Sequence, residues 1–393
     1  MDKWARPLVL IIAGVGFAGF AAGLARLALA RLLRYDLGAS IVIVSSLTTW
    51  LMAARAASSL ASGVLADISP RARLAFMWLP LLGLALLVYF MSSLSSVIYI
   101  VALNAAWGLL SGMTWPVTQS VTALIAGPQR SGSAMSLYFG VAFLGMTAGQ
   151  FIYGPLPLDN RGCLRLAAAA FAAAAVFIAL AAMEAARVDV LPPARPRRGV
   201  RGLHRLVTPT AAWILFAAFA IGYASGMMKE FLYIYLGEAY SLTREALAGL
   251  LAAAGLMSFL AGLAVGPLAD RLGAAPVLAA VLAAGATGET VLGLAPTAAY
   301  ALLGMVLINL ATRSSLPLTR NARFLGTEYA STLVGLSNTL NNIGQMAGPI
   351  AAALLYEHTK GTPLHGAPFL TAAALLAAAL LAYPAIRSRH SER

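Results

Sequence analysis

About twelve apolar runs follow one another along this chain almost without interruption, over residues 7–31, 39–66, 72–91, 97–126, 132–156, 163–186, 209–236, 243–269, 274–295, 297–319, 328–356 and 367–386. Each approaches or exceeds the roughly 20 residues that a helix needs to cross hydrocarbon. The runs are continuous and rich in Ala, Leu and Gly, whereas membrane strands alternate. With 60% hydrophobic and 10% charged residues among 393, the chain has more apolar surface than a water-soluble core can hide. The expected fold is an all-α membrane protein of about twelve transmembrane helices. The first run has no small-residue cleavage site and leads straight into the next, so it reads as helix one, not as a removable signal.

A motif near the end of the second run returns near the end of the eighth. Gly63-Val64-Leu65-Ala66-Asp67 and Gly266-Pro267-Leu268-Ala269-Asp270-Arg271-Leu272-Gly273 stand 203 residues apart. The same offset relates Gly23-Leu24-Ala25-Arg26 to Gly226-Met227-Met228-Lys229. Trp115-Pro116-Val117-Thr118 matches Leu316-Pro317-Leu318-Thr319 at 201, and Gly145 and Gly149 match Gly344 and Gly348 at 199. Drifting offsets are what loop insertions leave behind, and internal repeats of this kind mark secondary transporters. A Pro- and Arg-rich stretch from Arg187 divides the copies. The expected organisation is two pseudo-symmetric six-helix bundles, 1–186 and 207–393, joined by a cytoplasmic linker over 187–206.

The net charge of +13 would suit a nucleic-acid partner, but the basic residues are distributed for topology. Counting loops and tails alternately, seventeen lie on one side and five (Arg34, Arg161, Arg165, Arg244, Lys360) on the other. That bias places both termini and the central linker in the cytoplasm of a cell (plasma) membrane protein, with lipid and not nucleic acid as its surroundings. Cys163, the single cysteine, excludes an intramolecular disulfide, and the four histidines have no zinc spacing. No nucleophile–base set, metal cluster or phosphate loop is evident, so neither an enzyme nor a cofactor is expected.

On these motifs the chain resembles the major facilitator superfamily over essentially its whole length. That family's signature loop reads G-x-L-a-D-R-x-G-R-K after the second helix of each half. Gly266, Leu268, Asp270, Arg271 and Gly273 fit it; Gly63, Leu65 and Asp67 fit, with Ile68 and Pro70 as departures that Arg71 and Arg73 offset in charge. The resemblance implies alternating access, a monomer, and a conformational latch at Gly63, Asp67, Arg71, Gly266, Asp270 and Arg271. A plain turn with a satisfied carboxylate is the alternative for the two aspartates. A further family pattern, Gly-x8-Gly-x3-Gly-Pro, occurs at Gly335, Gly344, Gly348 and Pro349. The arginine common in span four of proton-coupled drug exporters is replaced by Asn104.

Ionisable groups inside spans are costly and generally face a cavity or a partner. Arg55 lies about 18 Å along its helix from Asp67, too deep to reach the interface easily in a core of about 30 Å. It is either a substrate-binding cation or a helix brace. Arg26 and Lys229 are repeat mates and either face the cavity or snorkel. Glu230 and Glu289 are candidate proton carriers, and Arg313 sits near the inner surface. Asn338, Asn341, Asn342 and Gln345 recur at helical spacing and set four amides on one face, for substrate or for a neighbouring helix. Asn104, Trp107, Trp115 and Asn309 would complete a pocket. Cations outnumber carboxylates in the spans, so the expected substrate is a small organic anion moved with or against protons. The alternative is a broad-specificity drug/proton antiporter exporting lipophilic compounds.

Overall fold

A computed structural model of the protein describes residues 5–126, 131–187, 209–262, 265–272, 274–319 and 330–382. The helices are α1 Ala5–Arg31, α2 Ile41–Ile68, α3 Pro70–Ser93, α4 Val97–Ala126, α5 Ser131–Tyr153, α6 Asn160–Arg187, α7 Pro209–Met227 and α8 Glu230–Ala239. They continue with α9 Arg244–Gly262, α10 Val265–Leu272, α11 Ala274–Gly293, α12 Ala298–Thr319, α13 Ala330–Thr359 and α14 Ala367–Leu381. Among the described residues every apolar run falls on a helix, or, for 209–236 and 243–269, on two. Among the described residues there is no strand. Seven helices there are long and apolar enough to cross a membrane, and α7 with α8 makes an eighth span bent by 52°. Shorter apolar helices occupy Leu137–Tyr153, Ala298–Thr312 and Ala367–Leu381.

Local chemistry sets several ends. Ser69 caps α3 by accepting from the Ala72 N–H at 3.3 Å, and Pro70 occupies the first helical position, where a missing N–H costs nothing. Buried Arg73 turns back to donate from Nε to the Ala66 carbonyl, at 3.0 Å, satisfying the end of α2. α1 continues as one π-helical turn over Leu32–Asp36.

In lipid the hydrophobic effect does not drive helices together, so close packing must. Here it is done twice with the same residues. A Cβ built on Gly19 would lie 2.1 Å from the Ala142 carbonyl oxygen, and one on Gly23 2.1 Å from that of Met146. From the other side, Gly145 and Gly149 meet the carbonyls of Gly16 and Phe20 at 2.3 and 2.2 Å. In the second copy Gly222 meets Asn341 at 2.1 Å, Gly226 meets Gln345 at 2.8 Å, Gly344 meets Phe219 at 2.2 Å and Gly348 meets Tyr223 at 2.3 Å. Every pair of the α7/α13 seam is the α1/α5 pair shifted by 203 and 199 residues. A third seam brings Gly108 and Gly112 of α4 onto the backbone of Leu51 and Arg55 on α2.

The chain divides into two compact units. One comprises Met1–Ser40, Trp50–Arg197 and Thr243–Ala252; the other comprises Ile41–Thr49, Arg198–Leu242 and Ala253–Arg393. Two short segments thus pack away from their sequence neighbours: the first turns of α2 belong to the second unit, and the first turns of α9 to the first.

Candidate functional site

In the second unit, span seven is interrupted about two-thirds of the way along. α7 stops at Met227, Lys229 adopts a non-helical conformation (φ −118°, ψ −128°), and α8 starts at Glu230. The interruption frees backbone groups and places two ionisable side chains at the break. Glu230 occupies the first turn of α8, where the positive end of the helix dipole favours a carboxylate. It is 2% exposed and accepts a hydrogen bond from the Thr48 hydroxyl. Neighbouring Thr49 donates to the Met346 carbonyl at 2.7 Å. Repeat mate Arg26 lies within uninterrupted α1, so the two copies differ at this point.

Lys229 opens a chain of directed hydrogen bonds. Its Nζ donates to Gln345 Oε1 at 2.5 Å, Gln345 Nε2 donates to Asn341 Oδ1 at 2.7 Å, and Asn341 Nδ2 donates to the Ala218 carbonyl at 3.1 Å. Bonds aligned head to tail in a low dielectric reinforce one another. Two of the four amides on α13 therefore bind α7 and the break; Asn342 is half-buried, and the side chain of Asn338 lies outside the described residues. Aromatic packing anchors α8: Phe231 and Tyr235 pack on Phe369 with centroids 5.7 and 4.8 Å apart, and Tyr235 also meets Tyr356 at 5.5 Å.

In the first unit, Arg55 and Arg26 belong to one electrostatic neighbourhood with the buried phenol of Tyr138, so α1, α2 and α5 each contribute. Asn104 is buried on α4. Trp107 is buried too and stands edge-on to Phe171 at 5.6 Å, tying α4 to α6. Trp115 and, in the second unit, Asn309 are half-buried. Glu289 on α11 is fully buried, and Arg71 and Arg271 are exposed. The side chains of Asp67, Asp270 and Arg313, and the surroundings of Gly63 and Gly266, lie outside the described residues. Sequence reasoning missed Thr48, Tyr138 and the break itself. The first half of that run carries four closely spaced hydroxyls, Ser45, Ser46, Thr48 and Thr49, a polar cluster that does not single out Thr48; the break has neither proline nor glycine at Met228 or Lys229.

A duplicated bundle with a broken, charged span is a transporter's architecture, and the sequence profile of the Major Facilitator Superfamily matches residues 11–349. The chain belongs to the Major Facilitator Superfamily. No curated protein sequence matches it. Solved structures extend the likeness over nearly the whole chain. The peptide transporter POT, in a mutant form, superposes with a TM-score of 0.76 at 13% identity, covering 99% of this chain and 98% of that one. A bacterial homolog of the human lysosomal transporter Spinster, inward-facing and occupied, gives 0.76 at 14%, covering 99% and 98%. The human organic anion transporter MFSD10 (TETRAN) gives 0.65 at 16%, covering 98% and 100%. At these identities the likeness is one of fold. As a Major Facilitator Superfamily member with several long apolar helices, the chain is a multi-pass membrane protein.

Proposed function

We propose that the protein is a secondary transporter that moves a small organic anion by alternating access, coupled to a proton gradient. The observation that carries this reading is the broken span, with Lys229 and Glu230 at the break and the Gln345–Asn341 chain behind them. Interrupted helices are where secondary transporters bind solutes, and charged groups within spans are expensive unless they work. Arg26, Arg55, Lys229 and Arg313 outnumber Glu230 and Glu289, a balance that attracts an anion. The amides of Asn338, Asn341, Asn342 and Gln345 supply donors for its oxygens, with Asn104, Trp107, Trp115 and Asn309 as further contacts. Glu230 carries the coupling proton, with Glu289 as a second carrier. Residues 1–186 and 207–393 rock about the site, and Gly63, Asp67, Arg71, Gly266, Asp270 and Arg271 latch one end. The basic residues orient both termini toward the cytoplasm, and the protein acts as a monomer in the plasma membrane. That MFSD10, of the same fold, is an organic anion transporter supports the substrate class.

The test is uptake of carboxylates into proteoliposomes under an imposed pH gradient, with wild type and Arg55→Glu. Gradient-driven carboxylate uptake, lost in the variant, is expected. Unchanged uptake in Arg55→Glu would remove that residue from the site. Proton-driven movement of lipophilic cations with no response to carboxylates would replace the reading with export of lipophilic compounds.

A further inference from the structure

Glu289 lies on α11 within the second unit, 0% exposed, and neither of its carboxyl oxygens has a hydrogen-bond partner among the described residues. Glycine packing brings the neighbouring helices in closely. A Cβ on Gly288 would stand 2.8 Å from both the Gly304 carbonyl and the Leu307 Cβ of α12. Gly285, one turn away, would meet Ala311 Cβ at 2.9 Å and a methyl of Leu376 on α14 at 3.2 Å.

The neighbours offer little that could compensate a charge. α14 has no titratable residue. On α12, Tyr300 is exposed and Arg313 is outside the described side chains. α10 brings Asp270 and exposed Arg271, but Glu289 lies about 20 Å or more along the axis from the start of α11. The remaining group is Tyr223 of α7, whose phenol is within electrostatic reach of Glu289 and shares a 3.4 Å contact with Thr371 Oγ1 of α14. Removing an ionised carboxylate from water with no partner costs several kcal/mol, whereas the neutral acid costs far less. Tyr223 also sits in the α7/α13 seam, its carbonyl against Gly348.

We infer that Glu289 is a second proton-binding site, distinct from the break at Lys229–Glu230, which holds a proton in this conformation and exchanges it past the Tyr223–Thr371 hydroxyl pair. Its contribution to coupling rests on the proton-driven transport reading; the binding of the proton does not. A proton leaving Glu289 creates a carboxylate with no hydrogen-bond partner among the described residues, whose charge the Tyr223 phenol, within electrostatic reach, is placed to feel.

The test is infrared difference spectroscopy of the purified full-length protein across a pH series, with no substrate added. Wild type should show a protonated-carboxyl C=O band that disappears reversibly at alkaline pH, is absent in Glu289→Gln, and is retained at a displaced frequency in Glu289→Asp. Tyr223→Phe should slow or shift its titration. A wild-type spectrum that matches Glu289→Gln at every pH would overturn the site, as would a band that persists until the protein unfolds. Failure of carboxylate uptake with a titrating Glu289 would sink the anion reading and leave this one standing.

Discussion

The guanidinium of Arg244 lies 4.0 Å from the centre of the Tyr153 ring, and its Nε donates to the carbonyl of that same residue at 2.8 Å. Nη1 reaches the Leu158 carbonyl at 2.5 Å and Nη2 the Cys163 sulfur at 3.2 Å. Gly154 makes room for this docking: a Cβ there would stand 3.0 Å from that of Ala248. Arg244 opens α9, in the second half of the sequence, yet it packs inside the first unit. The converse holds for Thr48 and Thr49, which pack inside the second. Shifted by 203 residues, Ile41–Thr49 becomes Arg244–Ala252, so the two exchanged segments are the same piece of the repeat.

Arg244→Ala should uncover Cys163, which is buried and is the chain's single cysteine. Loss of the cation–π contact and three donated bonds should weaken local docking by at least ~1.4 kcal/mol, a tenfold change in opening. Maleimide labelling of the native protein, followed by mass spectrometry, should therefore accelerate about tenfold. An unchanged rate would mean that Arg244 does not guard the thiol.

The mirrored seams should respond alike to overpacking. Gly19→Leu and its mate Gly222→Leu each force a side chain into a carbonyl 2.1 Å away, and each should cost about 1–3 kcal/mol or prevent folding. Gly249→Ala on α9, where nothing lies within 4 Å, should be neutral or stabilising by up to ~1 kcal/mol. Thermal unfolding in detergent separates the two behaviours.

Asn341→Leu should destabilise the second unit more than Asn342→Leu. The first leaves the Ala218 carbonyl and the Gln345 amide without their partner, at about 1–3 kcal/mol, while Asn342 is half-buried. Equal losses in denaturation experiments would show that the amide row does not bind α7 as described.

Thr48→Val and Glu230→Gln should be coupled. Their hydrogen bond predicts an interaction energy of about 0.5–3 kcal/mol in a double-mutant cycle on thermal stability. Strict additivity would separate the two residues.

The span positions and the duplication were legible because hydrocarbon leaves a helix no alternative and repeated glycines leave a fixed offset. Gly145 and Gly149 against Gly344 and Gly348 were visible as spacing before their contacts were known. What spacing does not encode is the neighbour. Asn341 and Gln345 share a face with Asn342, but only the fold shows that α7 meets the first two. Trp107 stood among pocket candidates, and its ring packs on Phe171. Arg244 looked like a plain loop charge, because its partners lie 81 to 91 residues away in sequence. The break at Lys229 was hidden for a simpler reason: Met228 and Lys229 are acceptable helix residues, so tertiary packing overrides local preference there.

Viewed mechanically, that break is a fulcrum between unequal arms. α8, ten residues long, is held by its aromatic contacts, while α7 has nineteen and its C-terminal half, next to the break, is packed tightly on α13 at Gly222, Gly226, Gly344 and Gly348. At 1.5 Å per residue the long arm reaches about 28 Å, so a tilt of about 10° at Lys229 carries its far end through about 5 Å. Because the seam admits no slip, α13 travels with it. An adjustment around a single lysine is thereby converted into displacement of a helix pair at the opposite end of the bundle.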